Sequence, residues 1–233
     1  MNEYNNFQEV IDVLNENKLP YLILRNYDNL LEKEMYMNGH GDVDMLVADS
    51  KVVKEVLNAQ EYPSHGDDGT HYYIMVDGER VSLDLRHIGD GYYCTSWQKD
   101  MLNRRVKRKG FYVMSQEDYF YSLIYHAILQ KPKFSNEYKD RLTKMAIELN
   151  FSLTEKITSY DFIHLLENYM RKNSYTYTFP TDTYVPLKKK MIDKKLLANS
   201  PKLAWEHWKF DTKCSIIGFG VKCKHLLTNG KFE

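Results

Sequence analysis

The sequence predicts an α+β fold, with a mixed-sheet core in its first half and a helical C-terminal part. Three observations predict it. Strand-like apolar runs gather before residue 90, helical periodicity dominates after it, and one hairpin signature lies among the early strands.

The first element is expected to be a helix over about residues 5–18, because Phe7, Val10, Ile11 and Leu14 share one helical face. Leu19-Pro20 stops it, and YLIL (21–24) reads as a short buried strand running into Arg25-Asn26. Gly39-His40-Gly41 then opens a second apolar run, DVDMLV (42–47). A helix is expected over 50–60, where Val52, Val53, Val56 and Leu57 lie on one side, and a loop over 61–70. HYYIMV (71–76) and ERVSLDLRH (79–87) flank Asp77-Gly78, a pair suited to a type I′ turn. That turn sets Ile74 against Val81, Tyr72 against Leu83, Tyr73 against Ser82 and His71 against Asp84. One hairpin face is therefore apolar, and the other carries His71, Ser82, Asp84 and Arg86.

Later in the chain, Ser115 and Asp118 resemble a capping box. The stripe Tyr119, Phe120, Leu123, Ile124, Ala127 and Ile128 predicts a helix that Lys131-Pro132 ends. Further helices are expected near 136–149, 159–172, 185–198 and 201–209. The division expected is a core over 1–112 and a mainly helical, substrate-binding domain over 113–233.

With 233 residues, 43% of them apolar, the chain can bury a sizeable core. Its formal net charge of zero excludes a generally basic nucleic-acid coat and a strongly acidic tail protein. The zero conceals two unlike parts: residues 1–90 hold 7 Lys/Arg and 18 Asp/Glu, residues 91–233 hold 25 and 14. Three cysteines are too few for a disulfide scaffold and suit a reducing compartment. The polar start MNEYNNFQEV does not read as a signal peptide, and the apolar stretch at 215–221 is far short of a membrane span. A cytoplasmic protein is expected.

Asp42 and Asp44 stand at i and i+2 on an expected strand, so both carboxylates project from one face. On an otherwise buried strand they repel and are costly to desolvate, and a hard divalent cation relieves both problems. Asp84 supplies a third acid from the hairpin. Three such carboxylates are the usual frame for two-metal phosphoryl or nucleotidyl transfer. Gly39 and Gly41 would let backbone N–H groups approach a phosphate.

Over residues 5–90 this order of elements and acids resembles the DNA polymerase β-like nucleotidyltransferase superfamily, with Asp42, Asp44 and Asp84 matching its three acids. LRNYDNL (24–30), GDVDMLV (41–47) and YHAILQK (125–131) look like a bacterial group of nucleotidyltransferase-fold proteins often found in surface-polysaccharide gene clusters. The resemblance implies a polymerase β-like mixed-sheet core, two Mg²⁺ (or Mn²⁺) ions on Asp42, Asp44 and Asp84, and an NTP co-substrate. It departs at one place: Arg25-Asn26 stands where most members carry a phosphate-gripping Gly-Ser. The exchange admits a guanidinium clamp on phosphate, an unusual donor, or loss of transfer activity.

Arg86 is a candidate anion contact with an ion pair as its structural role, and Lys131 is a weaker phosphate contact on the same helix as His126. His71 either orients Asp84 or simply pairs with it, and His40 reads as a solvated turn residue. The run Arg104, Arg105, Lys107, Arg108 and Lys109 is a solvated face or a cationic wall of the cleft. Lysines 188–190, 194 and 195 fit an outer helix face as well as nucleic acid, which is not the favoured partner. Cys214, Cys223 and His225 match no common zinc spacing.

The leading expectation is transfer of a nucleoside monophosphate from an NTP to an acceptor hydroxyl or phosphate, the acceptor being a small, glycan-related molecule. The competing readings are a non-catalytic, antitoxin-like module of the same fold and an Asp-x-Asp glycosyltransferase. The second is disfavoured because only 41 residues precede Asp42.

Overall fold

The structure, a computed structural model, describes residues 3–33, 42–62, 69–151 and 157–229, the side chains of 218–229 excepted. Gly39, His40 and Gly41 lie outside the described residues, as do the side chains of Cys223 and His225.

Among the described residues, eight strands form one mixed sheet in the order β1-β5-β6-β3-β2-β8-β7, with β4 also pairing β5. Its centre is β3 (Asp42–Val47), parallel to β6 (Glu79–His87) and antiparallel to β2 (Tyr21–Ile23). β5 (His71–Val76) and β6 form the hairpin, and all four expected cross-strand pairs are found in register. Asp77 and Gly78 both have positive φ, 50° and 78°, as a type I′ turn requires.

The helices α1 (Phe7–Glu16) and α2 (Ser50–Leu57) pack against each other. In α1 the Asn6 side chain accepts from the Glu9 N–H, and Phe7, Val10, Ile11 and Leu14 are fully buried. Burial of each such side chain contributes about 1.5–3 kcal/mol. α2 starts on an Asp49 cap and stops earlier than expected, at left-handed Asn58.

Four strands and one helix escape the sequence reading. β1 (Glu3–Tyr4) and β4 (Gln60–Glu61) are too short to show alternation. β7 (Val106–Arg108) and β8 (Phe111–Val113) form a second hairpin around Lys109-Gly110, and β8 runs parallel to β2. Lys107 and Arg108 of the basic run thus lie on an exposed edge strand, a composition that guards an open sheet edge. α3 (Thr95–Asn103) buries Trp97, Gln98, Met101 and Leu102, a stripe with one polar member.

Beyond β8 the described chain is helical. α4 (Gln116–Ile124) passes into a π-helical turn, Tyr125–Gln130, and α5 (Asn136–Glu148) and α6 (Ser159–Asn173) follow. Thr158 and Asp161 form a reciprocal capping box on α6. Two expectations are corrected. Residues 185–198 are not a helix but extended chain with two 3₁₀ turns, Lys189–Met191 and Lys194–Leu196. Tertiary contacts override the local periodicity there: the Lys188 N–H donates to the Leu129 carbonyl, the Asp193 N–H to Glu167 Oε1, and Leu197 bridges Tyr177. The last helix does not end near 209: α7 starts at Pro201 and runs to Asn229. Among the described residues, no helix is long and apolar enough to cross a membrane.

Candidate active site

Strand register brings the predicted acids together. Asp44 pairs with Asp84 and Asp42 with Ser82 across the parallel β3–β6 ladder, so the three carboxylates share one sheet face. They line a cavity of about 600 Å³ together with Arg25, Asn26 and Arg86. The opposite wall comes from the helical half: His126, Gln130 and Lys131 on and just after the π-helical turn, then Pro132 and Tyr138. Tyr92 and the segment 184–186 complete it.

Arg25 is held at the end of β2. The Leu24 N–H donates to the Asp44 carbonyl at 2.8 Å, which keeps the following residue beside β3. Asn26 then turns the chain in the left-handed region, φ 55°, a conformation asparagine tolerates better than most residues. Arg25 Nη2 lies 2.7 Å from Asp44 Oδ1, and its guanidinium sits 5.9 Å from the Tyr92 ring centroid. Burial opposes the Arg25 charge, but Tyr92 and Asp44 hold its pKa well above the ordinary value.

Asp84 lies between Arg86 and His71. Its Oδ2 is 3.4 Å from Arg86 Nη2 and its Oδ1 is 3.8 Å from His71 Nε2. Burial raises the Asp84 pKa, Arg86 opposes that, and Asp44 adds to it. Arg86 is 5% exposed and also binds Asp182, with Nη1 3.1 Å from Oδ2. Its guanidinium lies 4.6 Å from the Tyr92 ring centroid. Arg86 therefore bridges Asp84 and Asp182 while lining the cavity.

Tyr92 owes its position to Asp90, whose buried carboxylate accepts from the backbone N–H groups of His87 and Tyr92 and from Gln98 Nε2. Asp182 arrives on a strap from the second half. The Thr181 N–H donates to the Asp90 carbonyl, Thr178 Oγ1 donates to the Gly91 carbonyl, and His207 Nε2 lies 2.7 Å from the Pro180 carbonyl.

Of the two readings of the basic run, the cleft wall is not the one found. None of Arg104, Arg105, Lys107, Arg108 and Lys109 lines this cavity. Arg104 binds the buried Asp118, while Arg108 and Lys109 hold Asp28 on the segment that follows Arg25. Lys131 is the member of the basic half that lines the cavity. Tyr92, Gln130, Tyr138, Tyr184 and Asp182 escaped the sequence reading. Gln130 follows His126 by four residues, a spacing that keeps both on one helical side; no local signal marks the others.

Asp42, Asp44 and Asp84 are hard oxygen donors, so the donor set fits a hard divalent cation chemically. The side chains as they stand do not converge on one: among the described residues, no three acids, histidines or cysteines approach closely enough to hold a metal ion. Asp44 is instead neutralised by Arg25, and Asp84 by Arg86.

No family model and no curated protein sequence matches the chain. Among solved structures, the solution structure of the antibiotic-resistance factor ANT(2'')-Ia is similar at a TM-score of 0.36 and 12% identity, covering 72% of this chain and 91% of that one.

Proposed function

We propose that the chain is a metal-dependent nucleotidyltransferase of the polymerase β-like kind, moving a nucleoside monophosphate from an NTP to a small acceptor. The observation that supports it most is the register of Asp44 with Asp84, which gathers three carboxylates on one sheet face at a cavity rimmed by Arg25 and Lys131.

In this reading Asp42, Asp44 and Asp84 would hold Mg²⁺ or Mn²⁺, two ions in all. When bound, the ions supply Lewis-acid neutralisation of phosphate charge. Arg25 exchanges Asp44 for the triphosphate, to which its fork can donate twice, and Asn26 and Lys131 add donors. Gly39 and Gly41 are proposed backbone contacts to the same phosphates. Arg86 holds Asp84 in place and is a second candidate for phosphate. Asp84, its basicity raised by burial, accepts the proton of the acceptor hydroxyl. The acceptor oxygen bonds to the α-phosphorus, the bond from that phosphorus to the bridging oxygen breaks, and pyrophosphate leaves.

The proposed division at residue 112 makes the helical half the acceptor-binding wall, and the proposed setting is the cytoplasm. The test is a thermal-shift panel of the four NTPs with and without Mg²⁺. At least one pair stabilises the wild type more than the Asp42→Ala/Asp44→Ala variant. Equal shifts in both proteins for every NTP would remove the proposal.

A further inference from the structure

The wall formed by the π-helical turn carries a second recognition element. His126 is 7% exposed and lines the cavity. Its Nδ1 lies 3.1 Å from Tyr92 Oη and 3.2 Å from Gln130 Oε1. The Gln130 amide is oriented by a separate bond, because its Nε2 donates to the Tyr92 backbone carbonyl at 3.4 Å. Turning the amide over would set one carbonyl oxygen against another, so Oε1 faces the imidazole. That oxygen can only accept, which assigns the proton to Nδ1. Tyr92 Oη, 3.1 Å from the same nitrogen, has lone pairs that can share that proton.

The ring is neutral. Burial first, then the charges of Arg25, Lys131 and Arg86, pull the His126 pKa down to about 2. A neutral imidazole protonated at Nδ1 presents a lone pair at Nε2. No described residue hydrogen-bonds to that nitrogen, and the Tyr138 ring stands beside the imidazole at 6.1 Å and 70°.

We propose that His126 Nε2 accepts a hydrogen bond from a hydroxyl of the acceptor molecule, so that the acceptor is a neutral, hydroxyl-bearing small molecule and not a phosphate. The proposal rests on the transferase reading for the identity of the second substrate. The dianionic phosphate of a phosphomonoester has no proton to offer Nε2 and meets its lone pair with negative charge. An alcohol matches it, and it leaves a second hydroxyl free for Asp84. His126 is thus a positioning residue, and π-helical turns are frequent at functional sites.

The test is nitrogen NMR of the full-length protein labelled at histidine. The His126 signals are those lost in His126→Gln, or those moved in Gln130→Glu should the first variant not fold. At pH 7 the ring carries its proton on Nδ1 and has a bare Nε2. At least one of the probes glycerol, glucose and myo-inositol shifts the Nε2 resonance towards the hydrogen-bonded range, and methyl phosphate, a monoester without a free hydroxyl, does not. A proton on Nε2, a response to methyl phosphate, or silence towards all three alcohols overturns the proposal. Pyrophosphate release from the four NTPs is measured in parallel. Its absence beside an intact alcohol response removes the transferase reading and leaves the hydroxyl site standing.

Discussion

Buried Arg25 and half-buried Asp44 form an ion pair at the centre of the candidate site, with Nη2 and Oδ1 2.7 Å apart. The guanidinium stands where a cation is needed, since Asp44 is paired in register with a second carboxylate, Asp84. The pair therefore does two things: it keeps the acid face folded without a metal, and it competes with any cation for Asp44.

Both consequences are measurable in Arg25→Ala. Removing one partner of this pair leaves the other charge unpaired, and the expected loss is about 3 kcal/mol in urea unfolding. Added Mg²⁺ then raises the melting temperature of the variant more than that of the wild type, because Asp44 is free to bind it. An equal rise in both proteins shows that Arg25 does not compete with the ion.

The strap that brings Asp182 to Arg86 depends on Gly91. Its φ is +73°, and a Cβ there would lie 2.3 Å from the Phe179 carbonyl oxygen, a backbone atom that cannot step aside. Gly91→Ala is expected to cost roughly 2–4 kcal/mol from strain and overpacking together. Gly89→Ala is the control: φ is +93° there, but a Cβ meets nothing within 4 Å, so only the backbone strain remains. Equal losses in the two variants would show that the approach of the strap is not what constrains Gly91.

Asp118 holds the two halves together. Fully buried, it accepts from Trp97 Nε1 at 2.9 Å, from Tyr169 Oη at 2.9 Å and from Arg104 Nη2 at 2.7 Å. Burial pushes its pKa up, but the bonds from Arg104 and Trp97 outweigh that and leave it below the ordinary value. Asp118→Asn keeps the shape and removes the charge that Arg104 answers. The expected loss is about 2–4 kcal/mol at pH 7. Because the folded-state pKa is depressed, the charge stabilises the fold above the usual carboxylate range and ceases to do so in acid. The difference between wild type and variant in urea unfolding therefore shrinks as the pH falls below about 4.

These three sites differ in how far the sequence revealed them. The Asp42, Asp44 and Asp84 arrangement was legible because strand alternation and a two-residue turn fix faces and register from local spacing alone. Ser115 and Asp118 were legible only as a helix cap; Ser115 does cap the helix, but its partner's carboxylate serves Trp97, Arg104 and Tyr169. Asp182 was not legible, since its partner Arg86 is 96 residues away and no periodicity links them. The same limit left the basic run with two readings, because charge composition names a cation but not the acid that folding brings to it. The expected helix over 185–198 failed for the same reason, since the extended chain is held by Leu129, Glu167 and Tyr177, which are distant in sequence.

His126 supplies the last prediction, a pH dependence of opposite origin to that of a paired acid. In the unfolded chain its pKa is about 6.5, and in the fold it is pulled down to about 2. The groups that face it are Arg25 from the end of β2, Arg86 from β6, Tyr92 from the loop before α3, Gln130 and Lys131 at the end of the π-helical turn, and Tyr138 from α5. The cations among them all oppose protonation. Above pH 6.5 neither state binds a proton at this ring, and it contributes nothing to the pH dependence. Below pH 6.5 the unfolded chain takes up a proton that the fold refuses, so stability falls with acid at up to about 1.4 kcal/mol per pH unit. Between pH 6.5 and pH 5 the ring alone therefore removes about 2 kcal/mol. His126→Gln has no proton to gain, and its urea-unfolding free energy should fall by about that much less over the same interval. A parallel fall in both proteins would mean that His126 titrates alike folded and unfolded, and that the cations around the cavity do not hold the ring neutral.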